Sequence, residues 1–215
     1  GSTGAQVALA FLKIISDPTN SMISIVRILQ YYEISEQNIA RISKEAVGRA
    51  RENKENDEMF NVLQDLNVTN LTQQTELKEI TDTIDDLIKA SHDNLTSGIL
   101  YEIIRRRTDI YKKLSNDDSL QNFVERSVLQ DMIENAYNLE KIYPDSKIKD
   151  FLNFQTMLTT FDVETNRDTL NSDAIQVSTI HKSKGLEFKV VFLADIAARK
   201  VPMKFTRDDY YIPND

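Results

Sequence analysis

Cysteine is absent from the 215 residues, so neither a disulfide framework nor a thiolate-held zinc or iron–sulfur site is available, and nothing points to an oxidising compartment. Glycine and proline are scarce, 5 and 4 in all, and two of the glycines fall within the first four residues. Long stretches therefore run without a strong breaker, and helix is the expected default. No run approaches the roughly 18 consecutive apolar residues of a membrane span, and the N-terminus lacks the charged-then-apolar pattern of a signal peptide. A cytoplasmic protein with no membrane partner is the expectation. Positive charge is also in the minority, 26 Lys and Arg against 34 Asp and Glu, for a formal net charge of -8. That excludes a small module whose whole surface attracts nucleic acid, because such binding is driven by neutralising phosphates. Any DNA contact must be local.

What is present is a 40% hydrophobic content in a chain long enough to bury a sizeable core. The opening GSTG (1–4) reads as a cloning remnant or a junction and is set aside. Residues 5–16 are apolar on most sides, which predicts a buried helix stopping at Asp17-Pro18. Asn20 or Ser21 can cap a second helix through about Tyr32, and Ser35 a third through about Ala50. Between 71 and 91, Leu77, Ile80, Ile84, Leu87 and Ile88 recur at helical spacing on one face. Thr96 or Ser97 can cap a helix carrying Leu100, Ile103 and Ile104. The longest run, 119–143, places Leu120, Phe123, Val124, Val128, Leu129, Met132, Ile133, Ala136 and Tyr137 on one stripe ending at Pro144. A last helix over about 146–160 completes a mainly α fold, a bundle of six to eight helices.

After about residue 172 the pattern changes. Ile175, Val177 and Thr179 alternate as a half-buried strand does, HKSKG interrupts, and FKVVFLADI runs almost continuously apolar, as does a strand covered on both faces. Two strands do not make a stable sheet. The hairpin is therefore expected either to pair in a dimer or to belong to a larger sheet in a longer protein. The cluster 181-HKSKGLEF-188 sits at the C-terminal end of the first strand, where open α/β sheets bind ligands. Lys182 and Lys184 supply phosphate-attracting charge, Gly185 permits close approach, and Glu187 can accept hydrogen bonds from ribose hydroxyls. The same residues also read as solvated lysines, a surface carboxylate and a turn histidine.

The stretch 179-TIHKSKGLEFKVVFLADI-196 resembles motif V of superfamily 1 helicases of the UvrD/Rep/PcrA type, roughly T-[IL]-H-x-[AS]-K-G-L-E-[FW]-x-x-V-[FI]. Upstream, 8-ALAFLKIISDPTNSMISIVRIL-29 resembles the segment that opens the family's 2B subdomain, and 97-SGILYEIIRRR-107, 118-DSLQNFVERSVLQDMIENAYNLEK-141 and 146-SKIKDFLNF-154 resemble its helical body. The resemblance implies a helical 2B-like subdomain over 5–172 and, over 173–215, the returning segment of the RecA-like motor domain 2A, a short strand-turn-strand piece carrying motif V. It further implies an ATP-dependent helicase that translocates 3′ to 5′ on single-stranded DNA in repair or recombination. Its partners would be a single strand or a single-strand/duplex junction, and the remaining motor domains 1A, 1B and 2A of the same protein. ATP and Mg²⁺ would serve the full-length protein.

Carried onto this chain, the resemblance assigns Glu187, with Gly185 shaping the loop, to the nucleotide, and Thr179, His181 and Lys184 to the single-stranded backbone. No G-x-x-x-x-G-K-[ST] phosphate loop and no acidic pair after a strand accompany them. The family's catalytic arginine is expected beyond residue 215, so this chain alone is not expected to hydrolyse ATP, hold a cofactor or bind a metal. Relatives carry a glycine-rich turn in 2B that approaches duplex phosphates, whereas 30-QYYEISEQNIAR-41 holds no glycine here. The alternative DNA-facing feature is 105-RRRTDIYKK-113, where Arg105, Arg106, Arg107, Lys112 and Lys113 cluster with Tyr111. Such a run also serves simply as a solvated helix face or a favourable C-terminal charge. His92 reads as a loop residue, and Tyr31 and Tyr32 as packing aromatics. A different class of function stays open beside the helicase: an all-α module that binds a protein partner.

Overall fold

The computed structural model describes residues 3–116, 119–160 and 189–193. The chain divides into two compact units, Gly1–Val163 and Glu164–Asp215.

The first unit is helical. At its centre lies α1 (Thr3–Ser16), where Val7, Ala8, Phe11, Leu12 and Ile14 are each no more than 1% exposed. A helix apolar on most sides has to be surrounded, and α1 packs against α2 (Met22–Tyr31), α5 (Gln74–Ala90), α8 (Leu120–Ile142) and α9 (Ile148–Thr160). Thr3 and Gly4, set aside with the opening GSTG as a remnant or a junction, form its first turn. The Gly4 N–H donates to Glu125 at 2.5 Å, and a Cβ at Gly4 would lie 3.1 Å from Ile110, so the close approach of α1 to its neighbours uses the missing side chain. The helix stops where expected, and Asp17 accepts from the Thr19 amide at 3.2 Å to start a short 3-10 turn at Pro18–Asn20.

Of the helix starts that the sequence marks for a local cap, the one at Ser35 holds, and Ser119 supplies one that was not marked. Ser35 accepts from the Asn38 amide to open α3 (Glu36–Asn53), and Ser119 accepts from the Asn122 amide to open α8, both at 3.3 Å. Elsewhere the caps come from across the fold. The Ser21 hydroxyl donates to the Pro18 carbonyl instead of capping α2, and Asp57 accepts from the Ser21 and Met22 amides, both at 2.6 Å. Asp57 also accepts from the Met59 amide at 2.8 Å, so one carboxylate starts α2 and the short α4 (Met59–Asp65) together. Neither Thr96 nor Ser97 caps α6 (Thr96–Tyr101) with its side chain. Glu140 on α8 accepts instead from the Ser97 amide at 2.7 Å and the Ser97 hydroxyl at 2.6 Å. Two short helices, α4 and α7 (Ile110–Leu114), carry too few residues to show a period, and they bring the described α-helices to nine.

The stripe expected on α8 is only partly covered. Leu129, Met132, Ala136 and Glu140 are buried at spacings of three and four, whereas Leu120 is 74%, Phe123 42%, Val124 37% and Tyr137 52% exposed. Periodicity locates an apolar face, but a neighbour is needed to bury it.

Of the second unit, residues 189–193 are described. They form a bend and irregular backbone instead of the expected strand, with Val190, Val191, Phe192 and Leu193 exposed. An apolar run takes strand form only with a ladder partner. Among the described residues there is no strand, and no helix is long and apolar enough to cross a membrane.

Candidate nucleic-acid interface

The basic run lies where α6 changes its winding. From Glu102 to Arg107 the chain forms a π-helical turn, a rare conformation in which each N–H reaches back five residues instead of four. Ile103 and Ile104 are buried against the core, which leaves Arg105, Arg106 and Arg107 on the outside. The turn ends at Thr108, whose extended backbone breaks the helix and whose hydroxyl donates to the Ile103 carbonyl at 2.6 Å.

The three arginines differ in their partners. Arg106 donates to Glu102 at 3.1 Å, and its guanidinium carbon lies 5.4 Å from the centre of the Tyr101 ring. Arg107 donates to the other Glu102 oxygen at 3.3 Å and to Asp86 on α5 at 3.4 Å. Arg105 makes neither kind of ion pair. Its guanidinium carbon lies over the Tyr111 ring, 3.5 Å from the centroid, and among the described residues it has no carboxylate partner. A planar, permanently charged fork held on an aromatic face is suited to a phosphate or to the face of a base.

The rest of the basic run is divided in the same way. Lys113 is committed: it pairs with Asp109 at 3.0 Å and lies 4.2 Å from the ring centre of Tyr31. Tyr31 and Tyr32 meet edge to face at 5.2 Å and pack against the core, as expected of aromatics at a helix end. Burial, and then the negative charge of Asp109, hold both phenols protonated well above the ordinary tyrosine range. Lys112 is exposed.

Away from the basic run, a concavity of about 460 Å³ includes His92, Lys147 and Lys149, and His92 lies in the loop assigned to it. The Lys147 amide beside it already donates to Asp150 at 2.8 Å, as the Ser97 amide does to Glu140. Among the described residues no group of three or more His, Asp or Glu side chains is placed to hold a metal ion. Thr179, His181, Lys184, Gly185 and Glu187 lie outside the described residues. Of the candidate site residues, the structure therefore describes Arg105, Arg106 and Arg107. It adds Glu102, Asp86 and Tyr101, which sequence reasoning missed; only the four-residue spacing of Glu102 and Arg106 was a visible signal.

Among known protein families, the profile of the UvrD-like helicase C-terminal domain matches residues 6–212. The chain belongs to the UvrD-like helicase C-terminal domain family. Among curated relatives, the A subunit of the ATP-dependent helicase/nuclease of Anoxybacillus flavithermus is 51% identical over 47 residues. That match takes in 22% of this chain and 4% of the relative's length.

Proposed function

We propose that the helical unit is the DNA-contacting, 2B-like regulatory part of an ATP-dependent helicase that translocates 3′ to 5′ in DNA repair or recombination. Residues 173–215 would return the chain to motor domain 2A. The supporting observation is Arg105, held over Tyr111 at 3.5 Å with no carboxylate partner among the described residues and exposed to solvent. Arginine stacked on an aromatic ring is the pairing that nucleic-acid surfaces use, combining charge for the phosphate with a flat face for a base. Membership of the UvrD-like family makes DNA the polyanion of choice. With an overall charge of -8, such contact has to be local.

In the whole protein, motif V alone assigns Glu187 to the ATP ribose and Thr179, His181 and Lys184 to the single strand. ATP and Mg²⁺ would be handled by motor domains outside this chain.

The test is a fluorescence-anisotropy titration of the 215-residue chain with a labelled single-strand/duplex junction at low and moderate salt. Salt-sensitive binding that weakens in Arg105→Ala supports the reading. Absence of binding at low salt overturns it and favours a second reading, in which the unit docks a protein. For that reading the supporting observation is Leu120, Phe123 and Val124, exposed at i, i+3 and i+4 on α8, and the curated relative is by its name one component of an assembly.

A further inference from the structure

Glu102 occupies an unusual position. Both of its oxygens are taken by arginines of its own turn, Oε1 by Arg106 at 3.1 Å and Oε2 by Arg107 at 3.3 Å. In a regular α-helix the fifth residue along lies about 140° round the axis from the first, facing away. The π turn reduces that offset, because its hydrogen bonds join residues five apart and bring the fifth residue closer to the face of the first. The winding is what lets one carboxylate hold two consecutive arginines. Asp86 on α5 then takes a second donor of Arg107 at 3.4 Å. Of these three adjacent arginines, Arg105 is the one without a carboxylate partner among the described residues.

These ion pairs are open to exchange. Arg106 is 65% and Arg107 45% exposed, and such surface pairs are weakly held. A backbone phosphate offers each guanidinium a stronger, two-pronged contact and releases bound counterions.

We propose that Glu102 is an intramolecular competitor for nucleic-acid phosphate, keeping Arg106 and Arg107 in reserve until a phosphodiester backbone displaces it. This rests on the reading of the arginine surface as a DNA contact. In the resting surface Arg105 alone makes the first contact. Displacement of Glu102 recruits two further guanidinium groups, so the surface discriminates against isolated anions in favour of a ligand with several phosphates in a row.

The experiment compares wild type, Glu102→Gln, Asp86→Asn and Arg105→Ala, titrating the labelled junction at four potassium chloride concentrations. Exposed Glu36→Gln on α3 controls for the change in overall charge. Glu102→Gln is expected to bind about fivefold tighter at low salt. Its log–log salt dependence should keep the wild-type slope, because the same arginines reach phosphate once Glu102 is displaced, whereas losing Arg106 and Arg107 should make the slope shallower by about 0.7–0.9 for each contact removed. Adding Arg106→Ala and Arg107→Ala to Glu102→Gln should remove the gain. Unchanged affinity in Glu102→Gln, an equal gain in Glu36→Gln, or a gain that survives loss of both arginines would each overturn the proposal while leaving DNA binding through Arg105 intact. If Glu102→Gln loses its helical circular dichroism, Asp86→Asn decides, with a change expected from Arg107 alone and no change overturning the idea. No binding by any variant overturns this proposal and the DNA contact together.

Discussion

Asp57 accepts the Ser21 amide at 2.6 Å across 36 positions of sequence, and so a side chain in the loop before α4 sets the start of α2. The carboxylate is 9% exposed and also takes the amides of Met22 and Met59. Removing it leaves three N–H groups without an acceptor near the core. Asp57→Ala should destabilise the chain by about 2–4 kcal/mol, since helix caps and charged hydrogen bonds each contribute on the order of 1–2 kcal/mol. Urea unfolding followed by circular dichroism reads this directly, and a loss under about 1 kcal/mol would show that water replaces the cap.

Lys54 ends α3 in the left-handed conformation with φ of 57°, fully on the surface. A residue with a Cβ is strained there and glycine is not. Lys54→Gly should therefore stabilise by about 0.5–1 kcal/mol after glycine's own entropic penalty. A lowered thermal midpoint would mean that the lysine makes a compensating contact.

Tyr31 and Tyr32 carry phenols raised by burial and by Asp109. The folded state keeps protons that the unfolded state releases near pH ~10, so this contribution to stability is complete below that pH and is lost as pH rises above it. The urea midpoint should fall above pH ~10, and fall less steeply in Tyr31→Phe. Identical alkaline profiles for the two proteins would remove Tyr31 from the effect.

A chain ending at residue 172 retains the whole of the first compact unit, which closes at Val163. It should stay helical and unfold in one cooperative transition. Gradual, non-cooperative melting would defeat a boundary near 172.

Glu187→Ala in the full-length protein should raise KM for ATP several-fold with little effect on kcat, as expected when a ribose contact common to ground and transition states is removed. Unchanged kinetics would take Glu187 out of the nucleotide site.

The helices legible in the sequence were those whose information is local. The apolar period of α5 and the cap at Ser35 lie within a few residues of what they organise, and both are present in the structure. What escaped was tertiary. Asp57 and Glu140 act on helix starts 36 and 43 residues away, and neither spacing carries a signal. The exposed start of α8 escaped for the converse reason: Leu120 and Phe123 share the helical period of Leu129, and only the positions of other helices separate covered from uncovered residues. At the arginine surface the charge was plain, and the pairing of Arg106 with Glu102 follows from their spacing. The contact of Arg107 with the same carboxylate depends on π winding that no residue pattern announced.

Glu140 has a consequence for how this chain is made. A ribosome adding about 5–20 residues per second delivers Glu140 roughly 2–9 s after Ser97, the residue 43 positions earlier whose amide and hydroxyl it receives. Through that interval α6 has no carboxylate at its head, and α8 has not arrived to pack beside it. The turn bearing the three arginines continues directly from α6. Assembly of the basic surface therefore follows vectorial synthesis, and a nascent chain completes it only after the later helix has left the exit tunnel.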